Sequence, residues 1–232
     1  MVNVQGVLDQ VKVCIIIPVY NESRTIGPLV RALRQKDLDV VVIDDGSVDD
    51  SGNIAEFSGA GVIRHARNKG KGASLQEGFQ YALARDYEWI LTMDGDGQHA
   101  VEDIANFITM AQEQPQGVIT GNRMSNPQGM PGVRFWTNRL MSAIISFLCR
   151  QRIPDTQCGF RMISRDVLRG IQVTCKDYEI ETEVLIKASK KGFKIYSVPI
   201  QTIYMGEASK INPVVDTCRF IIYIVKEILG VT

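Results

Sequence analysis

Short apolar runs alternate with segments of helical periodicity through the first half of the chain, and this alternation most constrains the fold. Five runs have the length and residue types of buried strands, namely Val11–Val19, Val40–Ile43, Gly61–Arg64, Trp89–Met93 and Gly117–Gly121. The helical patterns between them are Thr25–Gln35, Asp49–Phe57, Lys71–Ala84 and Val101–Gln112. Strands that alternate with helices form crossover units, so the sequence predicts an α/β fold with a mostly parallel sheet flanked by helices.

The regular alternation ends at Gly121, but further elements are predicted beyond it. In order they are a loop, an apolar helix, a polar segment, a charged helix, a strand and a final apolar helix: Arg123–Gly132, Arg134–Arg150, Asp155–Arg161, Tyr178–Lys191, Phe193–Pro199 and Asn212–Leu229. No internal repeat, low-complexity tract or long linker divides the sequence. We therefore expect residues 1–232 to form a single domain.

Composition excludes several classes of protein. Lys plus Arg equals Asp plus Glu, at 26 each, so a strongly basic surface for nucleic acid is not indicated. The five cysteines are scattered and contain no Cys-x-x-Cys pair, which argues against a disulfide framework or a zinc site. Met1–Gln10 does not have the pattern of a signal peptide, and no apolar run approaches the roughly 20 residues of a membrane span. We expect a cytoplasmic protein, at most peripheral on the cytosolic face of a membrane.

Polar and glycine-rich residues gather where the predicted strands end. The four clusters are Tyr20-Asn21-Glu22, Asp44-Asp45-Gly46-Ser47, Asn68-Lys69-Gly70-Lys71-Gly72 and Asp94-Gly95-Asp96. In open α/β sheets, ligands bind outside the carboxyl ends of the strands. Four clusters at equivalent strand ends therefore predict one shared ligand site.

The last of these clusters suggests a divalent cation. Asp94 and Asp96 end the apolar run Trp89–Met93, and the glycines beside them allow the backbone to turn sharply. Mg²⁺ in proteins is held by one or two carboxylates, and substrate phosphates complete its shell. Taken alone, such a pair is also found in solvated turns. The neighbouring clusters favour a metal-bridged diphosphate.

In order along the chain, these motifs resemble those of family-2 glycosyltransferases with the GT-A fold. The resemblance is carried by Pro18-Val19-Tyr20-Asn21-Glu22, the three clusters that follow it, Gly121-Asn122-Arg123, Asp155–Arg161 and Ser209–Pro213. Within the family, the chain is most similar to the dolichol-phosphate mannose synthase branch and its bacterial polyprenyl-phosphate hexose relatives. One position departs from that branch: Tyr204 stands where relatives often carry an arginine.

The resemblance implies a set of site residues. About 11–121 would form the half that binds the nucleotide sugar, and about 122–232 the acceptor half. Implied nucleotide-sugar contacts are Pro18, Tyr20, Glu22, Ile43, Asp45, Lys71, Asp94, Gly95, Arg123 and Lys210, and implied ligands of Mg²⁺ or Mn²⁺ are Asp94, Asp96 and Gln98, with Asp96 the more direct.

Other interpretations of these residues stay open. Glu22 can instead favour a helix N-terminus, and Asp44 can stabilise a turn. The segment Asn68–Gly72 is either a phosphate cradle or a tight connection. Arg123 suits a diphosphate through its planar donors, but it can also be solvated.

The acceptor half offers few catalytic groups. An alcohol acceptor needs a general base, whereas a phosphate monoester is already ionised near neutral pH. Asp155 and Glu181 are the available carboxylates. Asp155 can act as a base or form a structural ion pair with Arg161, which can itself bind an acceptor phosphate. Glu179, Glu181 and Glu183 alternate along the predicted helix and cannot all face one site, so most of them are expected to be solvated.

The expected activity is the transfer of a hexose from a nucleotide-diphosphate sugar to a polyprenyl phosphate, with inversion. A transferase acting on a soluble or glycan acceptor is the alternative. A sugar-1-phosphate nucleotidyltransferase is disfavoured because Asn3–Lys12 lacks its glycine-rich basic signature, and a non-catalytic scaffold is a third possibility. The helix Arg134–Arg150 combines aromatic and basic residues, which suits a membrane surface or a second subunit of a homo-oligomer.

Overall fold

A computed structural model describes residues 11–127, 129–201, 203, 219–225 and 227. The strands are β1 Val13–Val19, β2 Asp39–Asp44, β3 Gly61–Arg64, β4 Trp89–Thr92, β5 Val118–Asn122, β6 Arg161–Ser164 and β7 Ile195–Pro199. The helices are α1 Ile26–Arg34, α2 Ser51–Phe57, α3 Lys71–Leu83, α4 Ile104–Glu113, α5 Gly132–Cys149, α6 Arg165–Gly170 and α7 Ile180–Lys190. Short 3-10 turns span Val101–Asp103 and Arg123–Ser125, and residues 219–225 are helical.

The seven strands form one sheet in the order β3-β2-β1-β4-β6-β5-β7. β1 pairs in parallel with β2 and β4, β2 with β3, and β5 with β7. The predicted mostly parallel sheet in a single domain is therefore confirmed. β1, β2 and β4 are buried along nearly their whole length, which is why they read as continuous apolar runs in the sequence.

β6 was not predicted, and it is the antiparallel member of the sheet. It lies between β4 and β5 and pairs antiparallel with both. All four of its residues are buried, yet Arg161 begins the strand and Ser164 ends it. Only two residues between them are apolar, so the strand lacks the pattern by which the others were recognised.

The core has two layers, one on each face of the sheet. Ile15 and Ile17 of β1 pack in the layer that contains α1 and α4, and Ile16 packs in the layer that contains α3 and α7. The alternation of β1 side chains between the layers follows from the strand period of two. β1 thus lies between β2 and β4 and contributes to both core layers.

The side of α5 that faces solvent carries large apolar residues. Its buried positions include Asn138 and Ser142, whereas its exposed apolar residues are Val133, Trp136, Leu140, Ile144 and Phe147. These five residues, hereafter the α5 stripe, recur at intervals of three and four and so share one helix face. Among the described residues, no helix is both long enough and apolar enough to cross a membrane.

Most of the predicted C-terminal helix Asn212–Leu229 lies outside the described residues, as do Tyr204 and Lys210.

Candidate functional site

Hydrogen bonds join the turns that follow β1 and β2. Asn21, with φ of 55°, donates from its backbone N–H to Ser47 Oγ at 3.0 Å, and its Oδ1 accepts from the Val48 N–H at 2.9 Å. The Glu22 N–H donates to Ser51 Oγ at 2.7 Å. These bonds explain the polar residue types in both clusters, because each turn satisfies the backbone of the other.

The predicted nucleotide contacts around these turns differ in exposure. Tyr20 is 38% exposed, and Pro18 and Glu22 are partly buried. Ile43 pairs with Pro18 in the sheet and is completely buried in the core, so a contact with a ligand would have to come from its backbone. Asp44 accepts the Ser47 N–H at 2.9 Å, which is the turn-stabilising role left open by the sequence.

Asp45 binds the segment Asn68–Gly72. Its Oδ1 accepts the Lys69 N–H at 2.8 Å, and its Oδ2 accepts the Gly70 N–H at 2.9 Å. Oδ1 also lies 2.6 Å from Nδ1 of His65. Asp45 is 4% exposed, so its main contacts in this structure are within the protein.

The same segment packs too tightly to serve as an open phosphate cradle. The Ala73 N–H donates to Lys176 O at 3.0 Å. Gly70 has φ of +98°, and a Cβ there would lie 2.5 Å from Lys176 O. Of the two interpretations, the structure favours a close connection, in which glycine is needed for its positive φ and its lack of a side chain.

Lys71 forms an ion bridge between the turn that follows β4 and the first turn of α7. Its Nζ lies 2.6 Å from Asp94 Oδ1 and 2.6 Å from Glu181 Oε1. Burial by itself would raise the pKa of Asp94, but the Lys71 ammonium outweighs it and holds that pKa at about 2. Asp94 is therefore ionised at neutral pH, with the Lys71 ammonium against its Oδ1.

Asp96 and Gln98 lie beside Asp94 on the turn that follows β4. The Gln98 N–H donates to Asp96 Oδ1 at 3.0 Å. Burial and then the negative charge of Asp94 raise the pKa of Asp96, which is the signature of two carboxylates in one small region. No cluster of three or more His, Cys, Asp or Glu residues suited to a metal occurs in the described part of the chain.

This donor set fits a hard divalent cation that is shared with a phosphate ligand. Two carboxylates supply oxygen ligands, and their mutual repulsion is relieved by a positive ion. A closed protein cage is not required, because Mg²⁺ typically retains waters or phosphate oxygens.

His99 is a site residue that the sequence analysis missed. Its Nδ1 accepts the Asp94 N–H at 3.3 Å, and its ring stacks on Phe160 with centroids 4.9 Å apart. Burial lowers the pKa of His99, although the charges of Asp94 and Asp96 oppose this effect. A neutral ring with Nδ1 as the acceptor orients the backbone that carries Asp94.

Arg123 and Asp155 form a buried bidentate ion pair. Arg123 Nε donates to Asp155 Oδ2 at 2.7 Å, and Arg123 Nη2 donates to Oδ1 at 2.9 Å. The backbone N–H groups of Arg123 and Gln157 also donate to this carboxylate, at 3.2 and 3.1 Å. Burial acts to raise the pKa of Asp155, but the Arg123 contact lowers it below its ordinary value.

This pairing corrects two expectations. Asp155 was expected to pair with Arg161 if it was structural, but its partner is Arg123. Arg123 is 6% exposed, so it is not a solvated side chain. Its guanidinium is engaged by Asp155, which is completely buried.

Arg161 organises backbone carbonyls. Its Nε donates to Cys158 O at 2.7 Å and its Nη2 to Thr156 O at 2.7 Å, while its Nη1 donates to Glu181 O. It is 2% exposed. Arg161 therefore joins the Thr156–Cys158 turn to the start of α7.

The expectation that most of the α7 carboxylates are solvated was wrong. Glu183 is completely buried and accepts hydrogen bonds from the N–H groups of Thr174 and Cys175 and from Lys187 Nζ at 2.7 Å. Glu179 and Glu181 are partly buried. Glu183 thus holds Thr174 and Cys175 of the segment that precedes α7, and Lys176 of the same segment lies against Gly70.

His65 is the second site residue that sequence reasoning missed. The chain contains two histidines, and both lie within three residues of a strand-end cluster. Each comes close after a predicted strand, and that position is the signal that could have identified them. Lys210, the third predicted basic residue, lies outside the described residues.

Residues 14–171 match the family model described as Glycosyl transferase family 2. The chain is 32% identical over 213 residues to a UDP-N-acetylglucosamine--dolichyl-phosphate N-acetylglucosaminyltransferase of Methanococcus voltae, covering 82% of this chain and 85% of that protein. It is 27% identical over 200 residues to the polyprenol monophosphomannose synthase of Mycolicibacterium smegmatis, covering 80% and 75% respectively.

A similar solved structure is glucosyl-3-phosphoglycerate synthase from Mycobacterium tuberculosis in complex with Mn²⁺, uridine-diphosphate and phosphoglyceric acid. The TM-score is 0.72 at 17% identity, over 98% of this chain and 80% of that chain. This likeness concerns the fold, and it confirms the predicted GT-A type. Since the family model spans more than half of the sequence and its relatives align along most of it, the chain belongs to glycosyltransferase family 2.

Proposed function

We propose that this glycosyltransferase moves a hexose unit from a nucleotide-diphosphate sugar to a polyprenyl phosphate. The observation that carries the acceptor assignment is the state of Asp155. Both of its oxygens accept hydrogen bonds from Arg123, and further backbone donors complete the set. A carboxylate bound in this way is unsuited to remove a proton from an alcohol, whereas an ionised phosphate monoester needs no base.

The donor side is supported by the convergence of three strand ends. β1, β2 and β4 are parallel neighbours, so the turns with Tyr20, Asp45 and Asp94 lie at one edge of the sheet. The exposed face of Tyr20 suits a nucleobase. Glu22 and Gly95 lie beside it, where Thr25 Oγ1 donates to Gly95 O at 2.6 Å and so joins the two turns.

The diphosphate would lie against Asp94, Asp96 and Gln98. Mg²⁺ or Mn²⁺ held there would neutralise the charge that grows on the leaving nucleoside diphosphate. Lys71 already contacts Asp94 and provides a positive charge next to the same position. Asp96 is the more direct candidate ligand, since no ammonium group is paired with it in the described contacts.

The reaction is a direct displacement at the anomeric carbon. A phosphate oxygen of the acceptor forms the new bond to C1 while the bond from C1 to the diphosphate oxygen breaks, and the configuration at C1 inverts. The electron pair leaves with the nucleoside diphosphate. No proton has to be removed from the dianionic acceptor, so the roles left to the protein are positioning and charge stabilisation.

We assign positioning roles to the buried arginines of the acceptor half. Arg123 holds Asp155 and the end of β5, and Arg161 holds the backbone around Cys158 and Glu181. Gly159 lies against the Asp94 carboxylate, because a Cβ there would be 2.6 Å from Asp94 Oδ2. The backbone that Arg161 fixes is therefore the backbone that closes one side of the candidate metal site.

Membrane contact by the α5 stripe would bring the enzyme to a lipid acceptor. Trp136 is 66% exposed and Phe147 is 83% exposed, and the exposed arginines Arg134 and Arg139 lie on the same helix. A helix with an outward aromatic face and basic neighbours suits the interface of an anionic bilayer. The names of the relatives, which include enzymes acting on dolichyl phosphate, agree with such an acceptor.

Thermal unfolding with a nucleotide panel tests the donor site. UDP, GDP, UDP-N-acetylglucosamine and GDP-mannose are each added with and without Mn²⁺, and a ligand that binds the native state raises the Tm. We expect at least one to raise it in a Mn²⁺-dependent manner. Asp96→Asn should lose this shift. Asp166→Asn, an exposed aspartate near the opposite edge of the sheet, should retain it. The proposal fails if no nucleotide shifts the Tm, or if Asp96→Asn responds like the parent protein.

A further inference from the structure

His65 lies between two carboxylates, outside the motifs that suggested the activity. Its Nδ1 is 2.6 Å from Asp45 Oδ1, and its Nε2 is 2.6 Å from Glu77 Oε2. The side chains of His65 and Asp45 are 1% and 5% exposed, whereas that of Glu77 is 39% exposed. The ring therefore connects a buried carboxylate at the end of β2 with a carboxylate of α3 near the surface.

Each ring nitrogen of His65 lies at hydrogen-bond distance from one carboxylate oxygen, so the ring bridges Asp45 and Glu77 through its two nitrogens. A buried hydrogen bond to a charged group is stronger than a neutral one. Glu77 holds the ring in the rotamer that directs Nδ1 at Asp45, and Lys69 Nζ lies 3.9 Å from the same Glu77 oxygen.

Asp45 transmits this orientation to the segment that contains Lys71. Its two oxygens bind the N–H groups of Lys69 and Gly70, which are the residues directly before α3. Gly70 has φ of +98° and sets the direction in which the helix begins. Lys71 is the first residue of that helix, and its ammonium reaches Asp94.

We propose that His65, held by Glu77, is a positioning residue that fixes Asp45 and thereby the segment from which Lys71 reaches the diphosphate site. This inference deepens the proposed function and rests on it for the effect on nucleotide affinity. His65 touches no reacting group. Its substitution should therefore change the binding of the nucleotide sugar much more than the rate of the chemical step.

Two substitutions of similar size separate positioning from simple packing. Asn places a side-chain amide near the position of Nδ1, and Gln places one near that of Nε2. His65→Asn should keep the bond to Asp45 and lose the one to Glu77, whereas His65→Gln should do the reverse. We expect His65→Gln to weaken the binding of UDP or GDP with Mn²⁺ about tenfold, and His65→Asn by less than about threefold.

In turnover, His65→Gln should raise KM for the nucleotide sugar about tenfold and leave kcat within about twofold. Glu77→Gln, which keeps an oxygen acceptor for Nε2, should stay near the parent enzyme. The inference is overturned if His65→Gln binds nucleotide normally, or if His65→Asn is impaired as strongly as His65→Gln. The latter result would mean that the ring only fills space.

Amide hydrogen exchange tests the same inference without any nucleotide. The N–H groups of Lys69 and Gly70 donate to Asp45, so His65→Gln should speed their exchange about tenfold or more, while His65→Asn should not. Unchanged exchange in His65→Gln would refute the positioning role. If the parent protein bound neither UDP nor GDP, the proposed function would fail, and the exchange result would still decide the role of His65.

Discussion

The buried pair of Arg123 and Asp155 gives a sharp prediction about stability. Asp155→Asn removes the charge but keeps the size of the side chain. It leaves the Arg123 guanidinium, which is 6% exposed, without its partner. In this variant an NH₂ group replaces one of the two carboxylate oxygens. That group faces N–H donors and cannot accept a hydrogen bond from them.

The structure allows an estimate of the size of this effect. Asp155 accepts four hydrogen bonds, two of them from the guanidinium, and it is completely buried. Removing one partner of a buried ion pair costs about 3–5 kcal/mol because an uncompensated charge stays in the interior. We expect the free energy of unfolding to fall by about this amount in each of the single variants Asp155→Asn and Arg123→Met.

A double-mutant cycle distinguishes an ion pair from two independent buried residues. The double variant Arg123→Met, Asp155→Leu should be markedly more stable than the summed effects of Arg123→Met alone and Asp155→Leu alone predict, with a coupling energy above about 2 kcal/mol. Urea unfolding gives each free energy, provided that the m-value stays constant. Additive single effects, or a loss below about 1 kcal/mol in Asp155→Asn, would refute the structural role of this pair and reopen the role of Asp155 as a base.

Three other predictions concern separate parts of the structure. Gly70→Ala should destabilise the protein by about 1–3 kcal/mol, because φ is +98° and the added Cβ would lie 2.5 Å from Lys176 O. Gly132→Ala should not destabilise it, because nothing lies within 4 Å of a Cβ at that position. Urea unfolding of both variants tests this difference. The folded-state pKa of Asp94 is lowered to about 2, so its contribution to stability is present above pH of about 4 and is lost as the pH falls toward about 2. Lys71→Met should flatten this dependence when unfolding is followed in EDTA, and the exposed substitution Lys191→Met should not. Phe147→Ser should weaken binding to anionic vesicles about tenfold with little change in Tm. The control Phe57→Ser changes a phenylalanine of α2 that is 92% exposed, and this variant should bind vesicles as the parent protein does. Equal binding by the two variants would contradict the role of the α5 stripe.

The sequence could reveal the elements whose signals are local. The strands β1, β2 and β4 are continuous apolar runs that end in polar turns, so both their existence and their shared carboxyl edge could be predicted. The turn-forming role of Asp44 was likewise among the interpretations that the residue type allowed. β6 could not be recognised, because only Met162 and Ile163 carry its apolar character and its burial comes from the strands on either side.

Pairings between distant segments were beyond sequence reasoning for a different reason. Lys71 and Glu181 are 110 residues apart, and Arg123 and Asp155 are 32 apart. Nothing in local periodicity says which of several arginines meets a given carboxylate, so Asp155 was assigned the nearer Arg161. The pairing of β5 with β6 determines that Arg123 is the partner of Asp155, because it brings the ends of these two strands together. His65 was missed for the same reason, because its two partners lie on different elements.

The most direct test of the account is a transfer assay with matched acceptors. Radiolabelled UDP-N-acetylglucosamine, UDP-glucose and GDP-mannose are each incubated with the enzyme, Mn²⁺ and either a polyprenyl phosphate or the polyprenol of the same length. We predict that label from at least one donor enters the organic phase only with the phosphate, and that Asp96→Asn abolishes this transfer while Asp166→Asn supports it. Equal labelling of the polyprenol, or transfer that survives in Asp96→Asn, would contradict the account.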